Sequence, residues 1–199
     1  MVSFDRAAVN CVPRACSALN LMSIAVSADI DLRDFIVDVP DFPEPGVVFK
    51  DITPMLADPD AFRACTKGLA ALIARHAPDA LVAIESRGFI FGAALAEAMN
   101  LPLQLVRKQG KLPRRTVGVS YELEYGSDTV EMHHDVVHSG GRYAVVDDVI
   151  ATGGTAEATA RLVESQGGVV VCLVFVLELG FLKGRDRLGQ RTVEALLRY

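Results

Sequence analysis

Four cysteines, at positions 11, 16, 65 and 172, form no C-x-x-C pair and stand near no clustered histidines, so neither a zinc site nor a disulfide framework organises this chain. Cys65 and Cys172 instead fall within apolar patterns and are expected as small reduced core residues, which fits a cytoplasmic protein. Long hydrophobic runs are also missing. The longest, Val169 to Leu177, has nine residues, against the roughly 18 or more that a membrane helix needs. Charge is not strongly one-sided: the net value is −5 and the pI about 5.4, which argues against general nucleic-acid binding. There is no internal repeat and no low-complexity tract. Two familiar nucleotide loops are absent as well, since neither G-x-x-x-x-G-K-S/T nor G-x-G-x-x-G after a strand occurs.

The most informative stretch is VVDDVIATGGT, from Val145 to Thr155. Tyr143 to Val146 is a short β-rich apolar run, so a buried strand is expected there. Ala156, Ala160 and Val163 then recur at helical spacing, and Gly167-Gly168 supplies a stop. Ala151, Thr152, Gly153, Gly154 and Thr155 therefore connect a strand end to a helix start. Glycines in such a loop let backbone N–H groups close on an anion, the threonine hydroxyls add donors, and the helix N-terminus favours negative charge. Asp147 and Asp148 would repel that anion, so they must face something else. Vicinal ribose hydroxyls are the natural donors for them, and a sugar phosphate is implied.

The remaining pattern alternates strands with helices. Asp58-Pro59 reads as an N-cap with proline at the first helical position, and Phe62, Cys65, Leu69, Leu72 and Ile73 mark one face of the helix that follows. Ala80 to Ile84 is expected as a strand, Gly92 to Met99 as a helix ending at Asn100, and Leu103 to Val106 as a strand. Val117 to Glu124 and Thr129 to His134 form a hairpin about residues 125–128, and Val169 to Leu177 is a further strand. That order predicts an α/β fold: a mostly parallel central sheet with helices on both faces and ligands at the strand carboxyl ends. At 199 residues and 51% hydrophobic content the chain suits one core, expected over 31–199. Residues 1–30 differ in character, carrying Arg6, Arg14 and the apolar stretch Ala18 to Ala28. They read as an N-terminal extension, either targeting or the result of a start at Met22.

VVDDVIATGGT resembles the ribose-phosphate signature of the type I phosphoribosyltransferases. FPEPGVVFKDITPML (Phe42 to Leu56), ESRGFIFGAALA (Glu85 to Ala96), VRKQGKLPRRT (Val106 to Thr116), SYELEYG (Ser120 to Gly126) and LKGRDRL (Leu182 to Leu188) extend the likeness in the family's order over most of the chain. The resemblance implies that family's fold, with a small N-terminal hood and a flexible hairpin over the site. It also implies a non-proline cis peptide at Glu85-Ser86.

The resemblance further implies an enzyme moving a 5-phosphoribosyl group from 5-phosphoribosyl 1-diphosphate to a purine, with magnesium carried by the diphosphate rather than held directly. Asp147, Asp148 and Ala151 to Thr155 would bind ribose and 5-phosphate. Ser86, Arg87, Arg107, Lys108 and Lys111 would meet the diphosphate, Lys111 from a closing flap. Glu124, in LEYG, would serve as the proton-transfer residue. Members that take hypoxanthine or guanine have an aspartate where Ala151 stands, so this alanine implies adenine, giving AMP. The base would be read by the Val48 backbone, with Lys50 beside it where arginine is common, and Phe42 and Phe49 either line the pocket or simply pack. Salvage of free purine and a homodimer are implied too. Two alternatives share the signature: a transferase for xanthine or guanine, and a non-catalytic regulator of the same fold.

Overall fold

The computed structural model describes residues 30–122 and 126–199. The leading extension and Glu124 therefore lie outside the described residues. Two short strands, β1 (Val37–Pro40) and β2 (Val48–Asp51), pair antiparallel as a separate two-stranded unit, with Val39 opposite Phe49 and Asp38 opposite Lys50. This is the expected hood. Helix α1 (Thr53–Ala57) follows, then α2 (Pro59–Ala74). Asp58 caps α2 as expected, its carboxylate accepting from the N–H groups of Asp60 and Ala61 at 3.0 and 2.9 Å. Ala61, Cys65, Leu69 and Ile73 form its fully buried stripe, with Phe62 and Leu72 at the margin.

The main sheet begins with β3 (Ala80–Ile84), whose five residues are all buried. Helix α3 (Gly88–Met99) leads to β4 (Leu103–Lys108), and β5 (Thr116–Glu122) pairs antiparallel with β6 (Ser127–His133). Next come β7 (Arg142–Ile150), α4 (Gly154–Ser165), β8 (Val169–Glu178), the short α5 (Gly184–Arg187) and β9 (Val193–Arg198). Strand order across the seven-stranded sheet is β5-β6-β4-β3-β7-β8-β9. Neighbours from β4 to β9 are parallel, and the β5–β6 hairpin joins antiparallel beside β4, with Arg107 opposite Glu131.

Central β7 shows why this sheet must be covered twice. Successive side chains point to opposite faces: Tyr143 and Val145 join the core beneath α4, whereas Ala144 and Val146 join the core beneath α2 and α3. Cys65 and Cys172 are both buried and unpaired, and burial pushes each thiol up to about 12. They are packing residues.

Several expected boundaries move, each for a tertiary reason. Helix α3 starts four residues before Gly92, at Gly88, because Gly88 lies hard against the Val146–Asp147 backbone, where only a residue without Cβ fits. Strand β7 continues past Val146 to Ile150, held by parallel pairing to β8 as far as Glu178, so both aspartates lie within the strand. Strand β4 runs on through Arg107 and Lys108, which pair with β6. Strand β6 begins two residues earlier than expected, at Ser127. Strand β9, not expected at all, closes the far edge against β8.

Candidate active site

The carboxyl ends of β3, β4 and β7 converge on one cavity of about 930 Å³, roofed by the hood. Its lining includes Val48 and Lys50 from β2, Ser86 and Arg87 after β3, Lys108 at the end of β4, and Asp147, Asp148, Ala151 and Thr155 around β7. A smaller hollow of about 100 Å³ adjoins it, formed by Asp147 and the Val149 to Ala156 loop. Strand ends at a sheet centre are where α/β folds bind ligands.

The loop has an open anion-binding form. Gly153 adopts φ 80°, a left-handed conformation that suits glycine, and turns the chain into α4. No side chain caps α4, so its first N–H groups remain directed at the hollow. Thr152 is exposed, and the Thr155 hydroxyl lies 3.1 Å from the Tyr121 hydroxyl.

The two acids differ. Asp148 is 4% exposed, with Arg87 Nε 2.7 Å from its Oδ2. That ion pair is out of line for a hydrogen bond, and Oδ2 remains a buried acceptor without a donor. A substrate hydroxyl would satisfy it. Asp147 points to the opposite face of the strand and receives the Asp148 N–H at 2.9 Å. Burial, reinforced by the Asp148 charge, raises its pKa well above the usual carboxylate range. Such acids mark sites where a ligand completes the electrostatics.

Cationic residues expected at the diphosphate fall into two groups. Ser86, Arg87 and Lys108 line the cavity, and the Glu85-Ser86 peptide is cis, as expected. Arg107 does not line it. Its Nε and Nη2 each lie 3.3 Å from Glu85, its Nη1 donates to the Lys111 carbonyl at 3.0 Å, and Lys111 itself is exposed on the turn beyond β4. Burial works to raise Glu85, but the Lys108 N–H and the Arg107 guanidinium outweigh it and hold its pKa below the ordinary value. Lys108 Nζ meets the Tyr121 hydroxyl at 2.8 Å and is paired with Asp128. Burial opposes its charge, yet these two partners raise its pKa, and the same lysine lowers that of Asp128.

At the hood, Phe42 and Phe49 both line the cavity and pack edge to face, with centroids 5.2 Å apart. Arg87 sits 5.2 Å from the Phe49 ring centre. Lys50 is less free than its place in the motif implies. Its Nζ bonds Asp38 at 2.6 and 2.8 Å and lies 4.3 Å from the ring centre of Tyr199. Glu85, Tyr121, Asp128, Asp38 and Tyr199 were not singled out from sequence, because each acts through a partner at least 12 positions away along the chain. No local pattern carries that pairing.

A parallel sheet whose central strand delivers paired acids and an uncapped helix start defines a sugar-phosphate-binding α/β protein. Residues 54–189 match the phosphoribosyl transferase domain family. Among curated relatives, the adenine phosphoribosyltransferase of Carboxydothermus hydrogenoformans is 49% identical over 85% of this chain and 100% of its own. That of Myxococcus xanthus is 50% identical over 90% and 97%. The crystal structure of the Rhodothermus marinus adenine phosphoribosyltransferase superposes with a TM-score of 0.80 at 50% identity, over 84% of this chain and 96% of that one. The Saccharomyces cerevisiae enzyme, solved with an imino-altritol bisphosphate and adenine, gives 0.77 at 38% identity over 81% and 94%. The chain belongs to the adenine phosphoribosyltransferase family.

Proposed function

We propose that this cavity transfers the 5-phosphoribosyl group of 5-phosphoribosyl 1-diphosphate to adenine, giving AMP and diphosphate, in the salvage of free adenine. The observation that carries this reading is the shared cavity: hood residues Val48 and Lys50 face the same space as Ser86, Arg87, Asp147, Asp148 and Thr155. Base, pentose and diphosphate would thus meet across one gap.

In this reading Asp147 and Asp148 accept from the ribose hydroxyls, and residues 151–155 clasp the 5-phosphate with N–H groups and hydroxyls. Ser86, Arg87 and Lys108 hold the diphosphate. Lys108 must exchange Asp128 for a phosphate oxygen when it does so. Arg107 contributes by fixing Glu85 beneath the Ser86 loop, and Lys111 adds positive charge from the turn beyond. The Val48 backbone and Lys50 receive adenine beside the packed hood aromatics Phe42 and Phe49. Glu124 serves as the proton-transfer residue for the attacking purine nitrogen. Cleavage at ribose C1 builds oxocarbenium character, so the site must stabilise the departing anion and exclude water.

Magnesium fits this donor set. It favours hard oxygen ligands and keeps several waters, and the substrate phosphates would carry it into the site without a direct protein ligand. When bound it neutralises charge developing on the diphosphate. A homodimer acting in the cytoplasm belongs to the same proposal; no helix among the described residues is long and apolar enough to cross a membrane.

The test is incubation with 5-phosphoribosyl 1-diphosphate, magnesium and adenine, hypoxanthine, guanine or xanthine in turn. AMP formed from adenine alone is expected. Turnover of guanine or xanthine with adenine inert would reverse the base assignment, and tight donor binding without turnover would mark a regulator.

A further inference from the structure

The motif LKGRDRL contributes no residue to the cavity, yet it abuts the phosphate loop directly. Gly184, buried at the start of α5, presses its backbone on both sides of that loop: a Cβ at Gly153 would overlap the Gly184 carbonyl, and a Cβ at Gly184 would overlap the Ala151 carbonyl. The next residue is anchored behind that contact. Arg185 Nε lies 2.9 Å from each oxygen of Glu178, its Nη2 lies 2.8 Å from Oε2, and its Nη1 donates to the Val193 carbonyl at 2.6 Å. Glu178 is 4% exposed and is the last residue of β8, in register with Ile150, one position before the loop. Arg198 approaches the same carboxylate at 3.7 Å.

We propose that Arg185 is a positioning residue for the 5-phosphate site: its fork on buried Glu178 clamps Gly184 against Ala151 and Gly153 and so fixes the loop that holds the phosphate. The inference rests on the reading of that loop given above. Three constraints on one guanidinium leave it little freedom, and a planar fork suits a carboxylate as an ammonium does not. The phosphate loop has few anchors of its own, because α4 lacks a side-chain cap and Gly153 lacks a side chain. Groups that orient a ligand-binding element from behind commonly change affinity by about tenfold or more when removed. Arg187 braces the same turn from outside, with its Nη2 3.4 Å from the Glu122 carbonyl.

The clamp acts on one substrate only, and this separates positioning from general stability. Full-length Arg185→Met should raise the KM for 5-phosphoribosyl 1-diphosphate and the Kd for ribose 5-phosphate by about tenfold, with the KM for adenine nearly unchanged. Arg185→Lys, which keeps the charge but not the fork, should recover part of the loss. An unchanged ribose 5-phosphate Kd in folded Arg185→Met, or equal losses for both substrates, overturns the proposal. Should Arg185→Met fail to fold, Arg185→Lys decides alone: a weakened ribose 5-phosphate Kd beside intact adenine binding supports the clamp, and no change refutes it. Wild-type protein that binds ribose 5-phosphate yet makes no AMP would instead refute the activity and leave the clamp standing.

Discussion

Asp147 sits where the fold disfavours a carboxylate charge. Its folded pKa lies above the unfolded value of about 3.9, because of burial first and Asp148 second. The stability it allows is therefore fully present below that unfolded value and is lost as pH rises through the folded pKa. Asp147→Asn should melt higher than wild type at pH 7, by roughly 2–4 °C for each kcal/mol recovered, and the difference should vanish below about pH 4. Calorimetric scans across pH check this; a lower melting temperature at neutral pH would contradict it. The same variant should bind the sugar phosphate more weakly, a trade common where a site keeps an unfavourable charge for its ligand. Glu124→Gln makes a different demand. Turnover should fall by roughly 10² to 10⁴ while sugar-phosphate binding stays largely intact, and an unaltered rate would remove Glu124 from proton transfer.

Among the elements, α2 is determined locally and α4 is not. The Asp58 carboxylate satisfies two otherwise free N–H groups, and Pro59 follows at the first helical position. Asp58→Ala should cost about 1 kcal/mol, read as an earlier denaturant midpoint with kinetic constants unchanged; altered KM values would show that α2 communicates with the site. Helix α4 begins without such a cap, and its start is held by Gly184 behind it. An element that must leave its N–H groups open for a ligand gives up the local device that would otherwise anchor it. The β5–β6 hairpin shows a related trade, since its Asp128 and Tyr121 hold Lys108 beside the cavity where a phosphate would compete for it.

The site of the whole molecule is assembled from parts distant in sequence, so ligand and fold should be thermodynamically linked. Saturating 5-phosphoribosyl 1-diphosphate with magnesium, at about 100 times its Kd, should add roughly 2.7 kcal/mol to unfolding. Thermal scans with and without ligand test this, and an unshifted transition would deny that the folded cavity binds the donor. Adenine alone, touching mainly the hood, should shift the transition less.

Resemblance to the family pointed to many of the cavity residues; the sequence by itself determined the strand, acid-pair, glycine-turn, helix order of Val145 to Ser165 and the capped start of α2. These are readable because turn chemistry, capping and side-chain periodicity act over a few neighbouring residues. Only the tertiary structure decided that β7 runs through Asp147 and Asp148, that α3 begins at Gly88, that Arg107 serves Glu85 while Lys108 faces the cavity, and that Lys50 is held between Asp38 and Tyr199. Each depends on a partner brought close by folding, through strand pairing, close backbone approach or an ion pair, and such a partner leaves no local trace. Glu178 and Arg185 are only seven residues apart, yet nothing in LELGFLKGR says which way that carboxylate turns until β9 and the phosphate loop close around it.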